Sequence, residues 1–186
     1  MSLLYDTASD IQRICRASGW RFCFIGGIAV QRWGEPRFTH DADLTLLTGY
    51  GNESAYIERL LEEFDPRAPD AAAFALKSRV LLLKAPNGIP IDVSLGAIDF
   101  EARMIQRASD WDAADGVALT TCGADDLVVL KAFAGRDQDW VDIRTIATRK
   151  SRELDTDLIF RELAPLLELK EDTETEQRLR KLFSKA

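Results

Sequence analysis

The chain changes its hydrophobic period once, near Cys122, and that change limits what it can fold into. Upstream, apolar residues come in short runs cut by glycine and proline, as in strands alternating with short helices. Downstream they recur at helical spacing, so that part reads as helices alone. The expected fold is mixed α/β (α+β): a small mixed β-sheet flanked by helices over 1–121, then a C-terminal helical bundle over 122–186 that closes a cleft. With 186 residues, 46% hydrophobic and 30% charged, the chain can bury a core, and whole-chain disorder is excluded.

Thr7–Ser18 reads as a helix stopped by Gly19. Trp20–Ile25 reads as a short apolar strand that runs into Gly26-Gly27 and a helix over Ile28–Trp33, with a loop to His40. Asp41–Leu47 alternates, placing Ala42, Leu44 and Leu46 on one face and Asp41, Asp43 and Thr45 on the other. A helix is expected over Ser54–Phe64, closed off by Pro66 and Pro69. Ser78–Lys84 and Ile89–Leu95 flank Pro86-Asn87-Gly88, a hairpin signal. A helix over Ala97–Ala108 and a strand over Val117–Thr120 complete the first part. Helices are expected at Asp125–Ala134, Trp140–Thr148, Asp155–Leu167 and Thr173–Phe183.

Lysine plus arginine number 24 against 31 acidic residues, a net charge of −7, which disfavours a protein that coats duplex DNA. Cys15, Cys23 and Cys122 are widely spaced and odd in number, so neither a disulfide framework nor a CxxC site is expected, and a reducing cytoplasm fits. No signal peptide is expected at the start, and no apolar run approaches the ~18 residues of a membrane span. There is no GxxxxGK[ST] phosphate loop. His40 is the single histidine, which removes zinc-hydrolase and histidine-triad schemes; it is read as a loop residue beside the acidic pair that follows.

That pair carries the chemistry. Asp41 and Asp43, two apart on a strand, project from one face roughly 6–7 Å apart and repel each other unless a cation lies between them. Asp92 stands opposite the apolar face of Ile89, Ile91, Val93 and Leu95, so on a neighbouring strand it joins them. Three hard carboxylates suit Mg²⁺ or Mn²⁺, and two such ions ~4 Å apart can clamp a triphosphate and activate a hydroxyl. The competing reading is the wet face of an edge strand. Gly26-Gly27, between a strand and a helix, either lets a phosphate approach exposed backbone N–H groups or makes an ordinary tight turn.

The string Gly26-Gly27-x-Ala29 … Trp33-Gly34-x-x-Arg37-x-Thr39-x-Asp41-x-Asp43-Leu44 resembles the polymerase-beta-like nucleotidyltransferase superfamily, most of all its AbiEii and MenT-like toxins. A second stretch, Lys131-x-x-Ala134-x-Arg136 followed by Asp139-x-x-Asp142, is similar to that family's later motif. The two together span about residues 20–145. The resemblance implies a nucleotidyltransferase fold, with Asp41, Asp43 and Asp92 holding two Mg²⁺ or Mn²⁺ ions and Asp92 the candidate base. It also implies that Gly26, Gly27, Arg37, Thr39, Lys131 and Arg136 meet the NTP. The sequence departs from the pattern at Gly27, where many relatives carry serine, and at Gln138, where lysine is common among the toxins.

Read from the residues alone, Leu127, Leu130 and Ala134 form a buried stripe with Val128 or Val129 beside it, and Lys131 is a snorkelling lysine. Arg136 can fork to a phosphate or to Asp139. Asp139 and Asp142 share a helix face, either to buttress Arg136 and Lys131 or to take part in chemistry. Trp33 and Trp140 are core residues or base-stacking platforms. Basic residues cluster at Arg144, Arg149, Lys150 and Arg152 and at Arg178, Arg180, Lys181 and Lys185, as helical surface charge or, for the first group, a track for RNA.

The expected activity is transfer of a nucleoside monophosphate from an NTP to a tRNA or protein hydroxyl, with release of pyrophosphate and a cognate antitoxin as partner. GGxA followed by R-x-T-x-D-x-D also resembles the aminoglycoside and lincosamide nucleotidyltransferases, and the negative charge suits a cationic acceptor. A catalytically silent nucleotide- or partner-binding module of the same fold is the third reading.

Overall fold

A computed structural model describes residues 3–114 and 116–184. In chain order the elements are α1 (Leu3–Ala17), β1 (Phe22–Phe24), α2 (Gly26–Trp33), β2 (Ala42–Leu47), α3 (Glu53–Leu61), β3 (Asp65–Pro66), α4 (Ala71–Ser78), β4 (Val80–Lys84), β5 (Pro90–Gly96), α5 (Asp99–Arg107), β6 (Ser109–Ala114), β7 (Val117–Thr121), α6 (Ala124–Ala134), α7 (Asp137–Lys150), α8 (Thr156–Lys170) and α9 (Thr175–Phe183). The fold is mixed α/β, and the strands form one seven-stranded sheet in the order β3-β4-β5-β2-β1-β7-β6. Its centre is mixed: β1 runs antiparallel to β2 and parallel to β7, and β2 runs parallel to β5.

The alternation in β2 and β5 decides which face is dry. Ala42, Leu44 and Leu46, with Ile91, Val93 and Leu95, are buried with Leu81 and Leu83 of β4. Ile11, Ile14 and Cys15 of α1 and Ile57 and Leu60 of α3 belong to the same core. The parallel register sets Asp43 beside Asp92, so the polar residues of both strands share the opposite face. Pro86–Gly88 makes the β4–β5 turn, where Gly88 takes φ 87° and Asn87 Oδ1 accepts from Ile89 N at 3.1 Å.

Three elements were not anticipated, the two-residue strand β3 among them. Residues 71–78 form α4, an alanine-rich helix capped by Asp70, whose side chain accepts from Ala73 N at 3.4 Å. The strand expected over Ser78–Lys84 therefore begins only at Val80, after Arg79 turns the chain with φ 57°. Residues 109–114 pair with β7 as the sheet's edge, and Trp111 and Ala113 pack against the core while Asp110 and Asp112 are exposed.

Packing divides the chain into two units, Met1–Ile28 with Phe38–Cys122, and Ala29–Arg37 with Gly123–Ala186. In the second unit α6 packs against α7, α8 and α9. The stripe expected on α6 is corrected accordingly. Leu127, Val128, Val129 and Ala132 are buried, but Leu130 is only half-buried and Ala134 is exposed. A helix surrounded by three others buries more than one face. No helix among the described residues is long and apolar enough to cross a membrane. All three cysteines are buried, and none is in a disulfide.

Candidate active site

One carboxylate oxygen each from Asp41, Asp43 and Asp92 lies within 4.8 Å of the others, and all three side chains are half-buried. The adjacency of β2 and β5 produces this, because Asp43 and Asp92 are register partners and Asp41 enters β2 from the same side. Three hard oxygen donors so close repel strongly in water's absence and suit a divalent cation such as Mg²⁺ or Mn²⁺. Burial raises the Asp92 pKa above the usual aspartate value; Arg67 pulls it down and Asp41 pushes it up further.

The glycine pair has a local reason to be glycine. Gly26 adopts φ 56°, and a Cβ there would collide with the Asp43 carboxylate. A Cβ on Gly27 would collide with the hydroxyl and Cβ of Thr39. The Thr39 hydroxyl in turn donates to Asp41 Oδ1 at 3.3 Å, and Ile25 N donates to the Asp43 carbonyl at 2.9 Å. The strand-to-helix turn at 25–27 thus holds both members of the DxD pair in place by close contact.

Arg67 was missed in the sequence. Its guanidinium donates to Asp92 Oδ1, its Nε to Leu83 O at 2.8 Å, and its backbone N to Leu82 O at 2.9 Å. Read along the chain, Arg67 is one basic residue between two loop prolines, a pattern without any spacing to a motif. Only the pairing of β4 with β5, which sets Leu82 beside Asp92, brings it to the carboxylates.

The later motif builds a network inside the second unit. Arg37 grips Asp142 with two bonds, Nε–Oδ1 at 2.9 Å and a second guanidinium nitrogen to Oδ2 at 3.1 Å. Lys131 Nζ reaches Asp139 Oδ1 and Asp142 Oδ2, each at 2.8 Å, and Gln138 donates to Asp142 Oδ1 at 2.9 Å. Burial raises the Asp142 pKa, but hydrogen bonds from Arg37, Lys131 and Gln138 outweigh it and hold the pKa below the ordinary value. Lys131 is only 8% exposed, so the snorkelling reading is corrected: its ammonium is held by two carboxylates, not by water. Asp139 and Asp142 buttress Lys131 and Arg37. Arg136 enters through its backbone N, which donates to Asp139 Oδ2 at 3.2 Å, while the residue itself is exposed.

The remaining candidates separate cleanly. His40 is an exposed loop residue against the edge of the Phe38 ring, 4.4 Å between centroids. Trp140 is core: it is buried, donates to Gly135 O at 3.2 Å, and carries the Arg178 guanidinium 4.0 Å over its ring. Trp33 is half-buried beside Arg32 and Lys150. Of the basic clusters, Arg149 donates to Gly34 O, Lys150 pairs with Glu153 and Arg180 with Glu176, while Lys185 lies outside the described residues.

The family described as "Nucleotidyl transferase AbiEii toxin, Type IV TA system" matches residues 13–186. No curated protein matches the chain. Among solved structures it is similar to an antigenic nucleotidyltransferase-like protein from Paracoccidioides brasiliensis, with TM-score 0.54 and 16% identity over 97% of this chain and 92% of that one. It is also similar to the antibiotic-resistance factor ANT(2'')-Ia, with TM-score 0.53 and 13% identity over 95% of this chain and 99% of that one. These likenesses establish the nucleotidyltransferase fold.

Proposed function

Because this chain belongs to the AbiEii nucleotidyl transferase toxin family, we propose that it moves a nucleoside monophosphate from an NTP to a hydroxyl of tRNA or protein and releases pyrophosphate. The observation that carries the proposal is the meeting of Asp41, Asp43 and Asp92 beside the glycine turn. These three residues would hold two Mg²⁺ or Mn²⁺ ions. Bound there, the ions supply charge neutralisation of the triphosphate and activation of the incoming hydroxyl.

The chain's own residues do the rest. Gly26 and Gly27 offer the first backbone N–H groups of α2 to a phosphate. Thr39 orients Asp41 through its hydroxyl. Asp92, grouped with Asp41 and Asp43, accepts the proton of the acceptor hydroxyl as the general base. Lys131 and Arg37 are held by Asp139 and Asp142, so their contact with nucleotide phosphates proceeds by exchanging a carboxylate for a phosphate oxygen. Exposed Arg136 is a further phosphate contact. A cognate antitoxin is the partner that this family implies.

The test is incubation of the full chain with each of the four labelled NTPs, Mg²⁺, a tRNA pool and cell protein. Label transfer with pyrophosphate release, abolished in Asp41→Ala, supports the proposal. No transfer to any acceptor, with Asp41→Ala indistinguishable from the parent, counts against it. Growth arrest on expression points to the tRNA or protein acceptor. Resistance to an aminoglycoside points to a small cationic acceptor, which the net charge of −7 also suits.

A further inference from the structure

We propose that Arg67 is a built-in counter-ion that contests Asp92 with the divalent ion, so that the ion binds only by displacing a guanidinium. The inference rests on Asp41, Asp43 and Asp92 being the ion's ligands. Three negative charges within 4.8 Å are costly without a cation, and Arg67 supplies one in direct contact with Asp92 Oδ1. The contact is prepared by the backbone. Arg67 N and Nε are both spent on β4, donating to Leu82 O at 2.9 Å and Leu83 O at 2.8 Å. That hold leaves one edge of the planar guanidinium facing Asp92. Leu82 is the register partner of Asp92, so sheet pairing itself delivers the arginine. A guanidinium spreads one charge over three nitrogens, whereas a divalent ion concentrates two on one centre, so the ion wins Asp92 at the cost of the Arg67 pair. Arg67 therefore steadies the carboxylates before the ion arrives and weakens the site for the ion alone.

Mn²⁺ titration of the full chain without nucleotide, read by electron paramagnetic resonance and calorimetry, tests this. Both Arg67 and Asp92 are about one-third exposed, so Arg67→Gln is expected to bind Mn²⁺ about two- to fivefold tighter than the parent, the range of a part-exposed ion pair. Mn²⁺ is also expected to raise the Tm of Arg67→Gln by more than it raises the parent's. Arg67→Lys keeps a cation but not the planar fork between Leu83 and Asp92, and is expected to shift the same way by less. Lys84→Gln removes an exposed cation from the same strand and is expected to leave the affinity at the parent value.

Arg67→Gln binding no tighter than the parent, or an equal gain in Lys84→Gln, overturns the role of Arg67. If Arg67→Gln gives no folded chain by circular dichroism, Arg67→Lys decides alone, and no gain over the parent overturns the proposal. Separately, a parent that binds no Mn²⁺, or binds it undiminished in Asp41→Ala, overturns the ligand assignment and the role of Arg67 with it.

Discussion

At the scale of single residues, the site sets function against stability. Asp41, Asp43 and Asp92 hold like charges close together, and a chain selected for stability alone would not. Asp43→Asn is therefore expected to raise the Tm in EDTA by about 2 °C, from about 0.5–1 kcal/mol of relieved repulsion, while abolishing Mn²⁺ binding and nucleotide transfer. Thermal melts with and without Mn²⁺ read both effects; a lower metal-free Tm counts against the repulsion argument. Gly27 tests the close packing behind the pair. Gly27→Ala must move Thr39 and with it the hydroxyl on Asp41. The expected result is a loss of about 1–3 kcal/mol in urea unfolding, together with weakened Mn²⁺ binding. Undisturbed Mn²⁺ affinity would show that Thr39 does not position Asp41.

Among the elements, two helices depend on carboxylates in opposite ways. Asp142 on α7 neutralises Lys131 and Arg37, so Asp142→Ala takes a carboxylate from both and leaves Asp139 on Lys131; it is expected to cost about 3 kcal/mol by urea denaturation. The Asp172 carboxylate begins α9, accepting from Glu174 N at 3.0 Å, Thr175 N at 2.9 Å and the Thr175 hydroxyl at 2.8 Å. Those bonds, the Thr175 amide first, hold its pKa down to about 2. A folded value below the unfolded one means the cap contributes fully above the ordinary aspartate range, and its contribution is lost as pH falls from about 4 to about 2. Protection of the α9 amides, as protection factors that remove the intrinsic pH dependence of exchange, should fall over that interval in the parent. In Asp172→Asn, which cannot lose the charge, it should show no such step.

For the whole molecule, the question is where the chain can be cut. Ala29–Arg37 belongs with residues 123–186, although it lies inside the sequence of the sheet-bearing unit. Ala29 and Val30 are fully buried, and a Cβ on Gly34 would press on Thr145 and Ile146. A fragment of residues 1–122 is therefore expected to expose this segment and to give broad, poorly dispersed amide NMR spectra, while the full chain gives sharp ones. A well-dispersed spectrum from the fragment would show that the first unit folds without its inserted partner segment.

The DxD pair, the third aspartate and the glycine turn were all legible along the chain, because strand alternation and turn chemistry are local properties that neighbouring residues fix. So were the helices after Cys122 and the hairpin at Asn87-Gly88. Residues 71–78 escaped notice behind two prolines, and β6 escaped because its alternation, Trp111 and Ala113 beside Asp110 and Asp112, is too short to stand out. The occupants of the space beside Gly26 and Gly27, the burial of Lys131 between two acids, and the reach of Arg67 to Asp92 could not be read in advance. Each depends on contacts between residues far apart in the chain, and those distances are set by sheet register and helix packing. The residue types determined by themselves that three acids would need a cation; the tertiary structure alone decided that an arginine from a proline-flanked loop already stands at one of them.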